Sequence, residues 1–143
     1  MSISAVILPV LVQVGLTFIL LFWMGRTRVG HLRSGEVRVK DVALGERNWP
    51  ARVTQIQNAY HNQFELPVLF YALVALALIT RQADMLFVAM AWLFVASRLV
   101  HAAIHTTSNK ISRRFMAFLV GVLILAAMWV IFGIRIFAAE AGV

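Results

Sequence analysis

Residues 115–134 read FMAFLVGVLILAAMWVIFGI, twenty consecutive positions without a charged side chain. At about 1.5 Å per residue, a helix of that length spans roughly 30 Å, the hydrocarbon thickness of a bilayer. The run continues past Arg135 to Phe137, and three others stand upstream of it. Ala5 to Met24 is interrupted only by Gln13 and Thr17. Leu66 to Ile79 is dense and has an amphipathic lead-in from Trp49-Pro50. Ala83 to Ile104 is the third. None alternates with period two over a length that suits barrel strands. These runs predict helices over 5–24, 50–80, 83–106 and 112–138, in one domain of residues 1–143. The expected fold class is an all-α integral membrane protein, a four-transmembrane-helix bundle.

Composition agrees. Of the 143 residues, 62% are hydrophobic and 13% charged, against about 45–50% and about 25% in soluble domains. Mean hydropathy is +0.85. A soluble domain, a disordered tail and a disulfide-stapled module are excluded. With no cysteine, the chain has no thiolate ligand and no thiol nucleophile of its own.

The net charge of +7 would suggest nucleic acid in a soluble protein. Here the charges sit between apolar runs, so they read as orientation signals and contacts for anionic headgroups, with membrane lipids as partners and no nucleic acid. Ten of the 13 basic residues fall on one side of a four-helix path: Arg26, Arg28, Arg33, Arg38, Lys40, Arg47 and Arg52, then Lys110, Arg113 and Arg114. Arg81 and Arg135 are on the other. The positive-inside rule places the basic loop 25–49 in the cytoplasm and both termini on the non-cytoplasmic side. The first apolar run has no basic lead and no small-residue cleavage site, so no cleaved signal peptide is expected. Trp23 and Trp49 read as interfacial anchors.

Two helices carry polar groups where a membrane discourages them. Arg52, Gln55, Asn58, Asn62 and Glu65 share one helical face, and Arg98, His101 and His105 share another. A turn near Arg81-Gln82 makes the two helices an antiparallel hairpin. Glu65 then lies level with Arg98, Asn62 with His101, and Asn58 with His105. If the faces meet, Glu65 and Arg98 can pair. Both lie roughly 24 Å from that turn at about 1.5 Å per residue, toward the cytoplasmic edge of the hydrocarbon. Pro67 is expected to bend the helix just beyond Glu65.

A register-fixing ion pair and interhelical glue would account for parts of this pattern. A cluster this large, open to one face, favours a site. His101 and His105 have zinc-ligand spacing, with Glu65 a third candidate. Their arginine neighbours would repel a cation, so no metal is expected. Gln13 and Thr17 read as packing. No Ser-His-Asp set, P-loop or GxGxxG is present, so a nucleophile must arrive with a cosubstrate. A cationic, half-buried pocket would lower the pKa of a bound thiol.

The segment Arg52-Val-Thr-Gln-Ile-Gln-Asn-Ala-Tyr-His-Asn62-Gln-Phe-Glu65-Leu-Pro67-Val-Leu-Phe70 resembles the second-helix signature of the MAPEG family, membrane-associated proteins in eicosanoid and glutathione metabolism. Ser97-Arg98-Leu-Val-His101-Ala-Ala-Ile-His105, followed by Arg113-Arg114, resembles its next element. The resemblance is to bacterial-type members and covers nearly the whole chain. It implies a homotrimer in the bacterial inner membrane, with glutathione as cosubstrate bound between subunits near the cytoplasmic face. It also implies that Asn62 and Glu65 hold glutathione, that Arg98 and His101 line the pocket, and that Arg114 or Arg113 stabilises the thiolate. The implied activity is glutathione-dependent transfer to, or peroxidase action on, a hydrophobic, lipid-like small-molecule substrate. The chain departs from the signature at Asn58, where an arginine is usual, at His105, where an aromatic is usual, and at Pro67, which follows Glu65 early. Asn58 and His105 stand among the candidate glutathione-binding residues, and their departures keep a second reading open: a non-catalytic protein holding a lipid or small anion. A third, a proton or anion pathway through Glu65, His101 and His105, conflicts with the apolar outer halves of all four helices.

Overall fold

The computed structural model describes residues 1–46 and 48–141. Arg47, one of the basic residues counted above, lies outside the described residues. The helices are α1 (Ile3–Arg33), α2 (Ala51–His61), α3 (Leu66–Ile79), α4 (Met85–Thr106) and α5 (Ile111–Glu140), and no strand is present among the described residues. With α2 and α3 taken as one interrupted span, four segments are long and apolar enough to cross a membrane. The chain is an all-helical, multi-pass integral membrane protein.

Helix boundaries follow local chemistry. Ser2 caps α1, accepting from the Ala5 N–H at 3.3 Å. The helix does not stop at Met24, as hydropathy predicts, but continues to Arg33. Residues 25–33 contain no proline, and His31 and Arg33 suit the negative end of the helix dipole. Gly35, at φ +75°, then turns the chain. The polar connection is therefore 34–50 rather than 25–49.

The expected continuous helix over 50–80 is broken. A 3-10 turn spans Asn62–Phe64, and Glu65 has φ −99° and ψ −106°. Pro67 sits in the first turn of α3. Lacking an N–H, it cannot bond the carbonyl four residues back, that of Gln63. The bend therefore falls before Pro67 and includes Glu65, rather than following it.

At the far end of α3, Arg81 adopts φ +60° in the tight turn. Asp84 caps α4, accepting from the Phe87 N–H at 2.8 Å. α4 packs against α1, α2 and most extensively α5. The core joins Phe70, Leu73 and Val74 of α3 to Phe87, Phe94 and Val95 of α4 and Leu125 and Met128 of α5. The Phe70 and Phe94 ring centroids are 4.7 Å apart. Gly121 lets α5 approach closely, since a Cβ there would meet Ser97 Oγ at 2.8 Å. The outer surface is apolar, with Phe22, Leu123 and Phe137 exposed, as lipid contact requires.

Candidate functional site

A cavity of about 520 Å³ opens at the end of the bundle where α2, the start of α5 and the last turns of α4 converge. Asn58, His61, Asn62 and Glu65 form one wall. His101 and His105 of α4 form its floor, each 3% exposed. Ile111, Arg114, Phe115 and Phe118 of α5 form the other wall. One side is thus polar, the other largely apolar, and charges of both signs face the same space.

The two polar stripes do meet, but their partners are not those of equal height. Asn62 contacts His105, with 3.2 Å between the amide and ring Nδ1, rather than His101. Turned so that its nitrogen faces Glu65, the Asn62 amide donates to both carboxylate oxygens at 3.2 Å and accepts from His105 Nδ1 at 3.2 Å. Glu65 and Arg98 do not form the expected ion pair. Among the described residues the ion pairs are Arg38–Asp41 and Arg135–Asp84, and His31 Nδ1 contacts Glu36 Oε2 at 2.6 Å. Equal heights hold only along a continuous helix, and the 3-10 turn swings Glu65 out of that register into the cavity.

Arg98 lies outside the cavity lining, at 0% exposure. Its Nη2 donates to the Asn62 carbonyl oxygen at 3.4 Å, while Nε and Nη1 have no partner among the described residues. Its guanidinium stands 5.9 Å from the Phe118 ring centroid. His101 packs its ring on His105 and Phe118, at centroid distances of 5.7 and 5.9 Å, and its Nδ1 is likewise without a partner. Such buried, unsatisfied groups are where a ligand or ordered water is expected.

Arg52 and Gln55 belong to the predicted stripe but not to the cavity. Arg52 Nη1 donates to the Thr106 carbonyl oxygen at 2.5 Å, and Gln55 Nε2 to that of His105 at 2.6 Å. They satisfy carbonyls that the last turn of α4 leaves without intrahelical donors. The arginine pair divides as well. Arg114 lines the cavity and donates to Asn109 Oδ1 at 2.6 Å, whereas Arg113 is exposed and does not line it.

His61 is the cavity residue missing from the predicted stripe. The signal was present, since it stands three residues after Asn58 and four before Glu65, on the same helical face. Among the described residues, no group of three or more His, Asp or Glu side chains is placed to hold a metal ion.

These features describe a membrane protein of four spans with a half-polar cavity at one end of the bundle. The MAPEG family model matches residues 6–134, so the chain belongs to the MAPEG family, membrane proteins of glutathione and eicosanoid metabolism. No curated protein and no solved structure matches the chain.

Proposed function

We propose that the protein is a glutathione-dependent transferase or peroxidase acting on hydrophobic, lipid-like electrophiles. The observation that carries this reading is that Glu65 and Arg114 face one cavity whose remaining wall includes Phe115 and Phe118. Glutathione is a small peptide with an ammonium, two carboxylates and a thiol. Glu65 suits the ammonium. Arg114 favours the thiolate, because a nearby cation stabilises the charged form of an acid. The aromatic wall suits an apolar cosubstrate entering from lipid. A volume of about 520 Å³ falls within the range of roughly 300–1,000 Å³ usual for small-molecule sites.

In this reading Asn62 and His105 orient the Glu65 carboxylate, while Asn58 and His61 contact the peptide from the same wall. Arg98 and His101 stabilise the floor. The sulfur forms a bond to an electrophilic carbon of the cosubstrate as its leaving group departs. The basic end of the bundle is cytoplasmic, with both termini opposite, and the working assembly is a homotrimer. These points rest on charge asymmetry and on family membership.

A second reading, binding of a lipid or other small anion without turnover, is favoured by Asn58. It departs from the family signature, as His105 does, and both departures weaken the case for glutathione as the ligand.

Calorimetric titration of glutathione into the detergent-purified protein, beside the Glu65→Gln variant, tests the reading. Saturable binding that the variant loses supports it. Absence of binding to folded wild-type protein refutes it and directs the search to lipids and other anions.

A further inference from the structure

The break that brings Asn62 and Glu65 to the cavity is held from its opposite side by a residue remote in sequence. Gln13, in the middle of α1, is 0% exposed and donates through Nε2 to Gln63 Oε1 at 2.9 Å. Gln63, 1% exposed, donates through its own Nε2 to the Ala59 carbonyl oxygen at 2.9 Å. Two amides at this depth have no bulk water to bond, so their donors need partners within the protein; both nitrogens find one, while Gln13 Oε1 has none among the described residues. Gln63 stands inside the 3-10 turn, directly after Asn62 and two residues before Glu65. Pro67 denies the Gln63 carbonyl its helical donor. The turn therefore lacks part of the regular ladder, and the side-chain relay Gln13–Gln63–Ala59 fastens it instead. No α1 residue lines the cavity among the described residues.

We infer that Gln13 is a positioning residue: through Gln63 it fixes the helix break that presents Asn62 and Glu65 to the ligand. Its effect on glutathione rests on the function proposed above, whereas its hold on the turn does not. An apolar side chain of similar length would fill the same space without the donor, which separates the hydrogen bond from packing. Methionine is that side chain.

The test uses the full chain in detergent. Hydrogen exchange is followed at amides 62–66, with the α4 amides 87–98 as internal reference, and glutathione kinetics are measured in parallel. Gln13→Met should accelerate exchange at 62–66 and leave 87–98 unchanged. It should raise the glutathione KM about three- to tenfold, the size of one hydrogen bond, with kcat at saturation unaltered. Gln63→Met provides a second variant should the first fold poorly. The double variant should be no worse than the more affected single one, as for residues acting in series. Unchanged exchange at 62–66 overturns the inference, and so does an additive double variant. Should wild-type protein not bind glutathione, the proposed function fails and the exchange contrast alone decides: faster exchange supports the hold on the turn, unchanged exchange overturns it.

Discussion

Arg52 on α2 donates through Nη1 to the carbonyl oxygen of Thr106, the last residue of α4, at 2.5 Å. Its guanidinium also stands 5.2 Å from the centroid of the Trp23 ring on α1. One side chain thus ties three helices together at the mouth of the cavity without lining it. A residue that the spacing groups with binding groups serves instead as a clamp.

Replacing Arg52 with alanine should lower stability by about 1 kcal/mol, the scale of one partly solvated, charge-assisted hydrogen bond. Thermal unfolding of the purified protein reads this. Lysine in its place should recover only part of the loss, because an ammonium lacks the planar stacking of a guanidinium on Trp23. A full recovery would show that charge alone suffices.

Arg114 and Arg113 should separate under substitution. Arg114→Ala removes the cavity's cation and should abolish thiol-dependent turnover while leaving folding intact. Arg113→Ala, at an exposed position, should retain it. Steady-state rates with glutathione and a hydrophobic electrophile make the comparison, and equal effects would remove the role assigned to Arg114.

Gly121→Ala should destabilise the α4–α5 contact. The added Cβ would lie 2.8 Å from Ser97 Oγ, and that hydroxyl is held by the Phe94 carbonyl oxygen at 2.6 Å. Overpacking of this kind costs about 1–3 kcal/mol. Pairing it with Ser97→Ala, which deletes the obstructing oxygen, should restore most of the loss in the unfolding midpoint.

At the opposite end, Arg135 Nη2 donates to Asp84 Oδ2 at 2.7 Å. That bond, together with the Phe87 N–H, holds the Asp84 carboxyl below the usual carboxylate range. A depressed folded-state pKa contributes stability above the unfolded value, near 3.8, and the contribution is lost as pH falls through the folded value. Asp84→Asn should therefore be less stable than wild type at neutral pH, and the gap should close below about pH 4. A gap independent of pH would mean that the charge of Asp84 contributes nothing.

Much of this molecule is legible in its amino-acid order. Runs such as 115–134 and 5–24 predict spans because transfer into lipid depends on each side chain nearly independently of its neighbours. The clustering of Asn58, Asn62, Glu65, His101 and His105 at one end is legible too, since helical spacing places them on two faces and the short turn near Arg81-Gln82 brings those faces to similar depth. The resemblance to the MAPEG family is legible in residues 52–70 and 97–105, and the family model matches residues 6–134. Arg113 and Arg114 are not separable this way, because adjacent residues on a helix point about 100° apart and the helix start decides which one turns inward.

Amino-acid order dictates the class of protein: four apolar spans, a polar cluster near one end of the bundle and the side chains from which a site is built. The folded arrangement of the helices sets which side chain touches which. It paired Asn62 with His105, left Glu65 apart from Arg98, turned Arg52 and Gln55 into caps for α4, brought His61 to the cavity and joined Gln13 to Gln63. The physical reason is that hydropathy and periodicity are local and additive, whereas partner choice depends on the rotation of each helix about its axis. Here that rotation is reset by one 3-10 turn, imposed where Pro67 withholds an N–H and fastened by an amide from another helix.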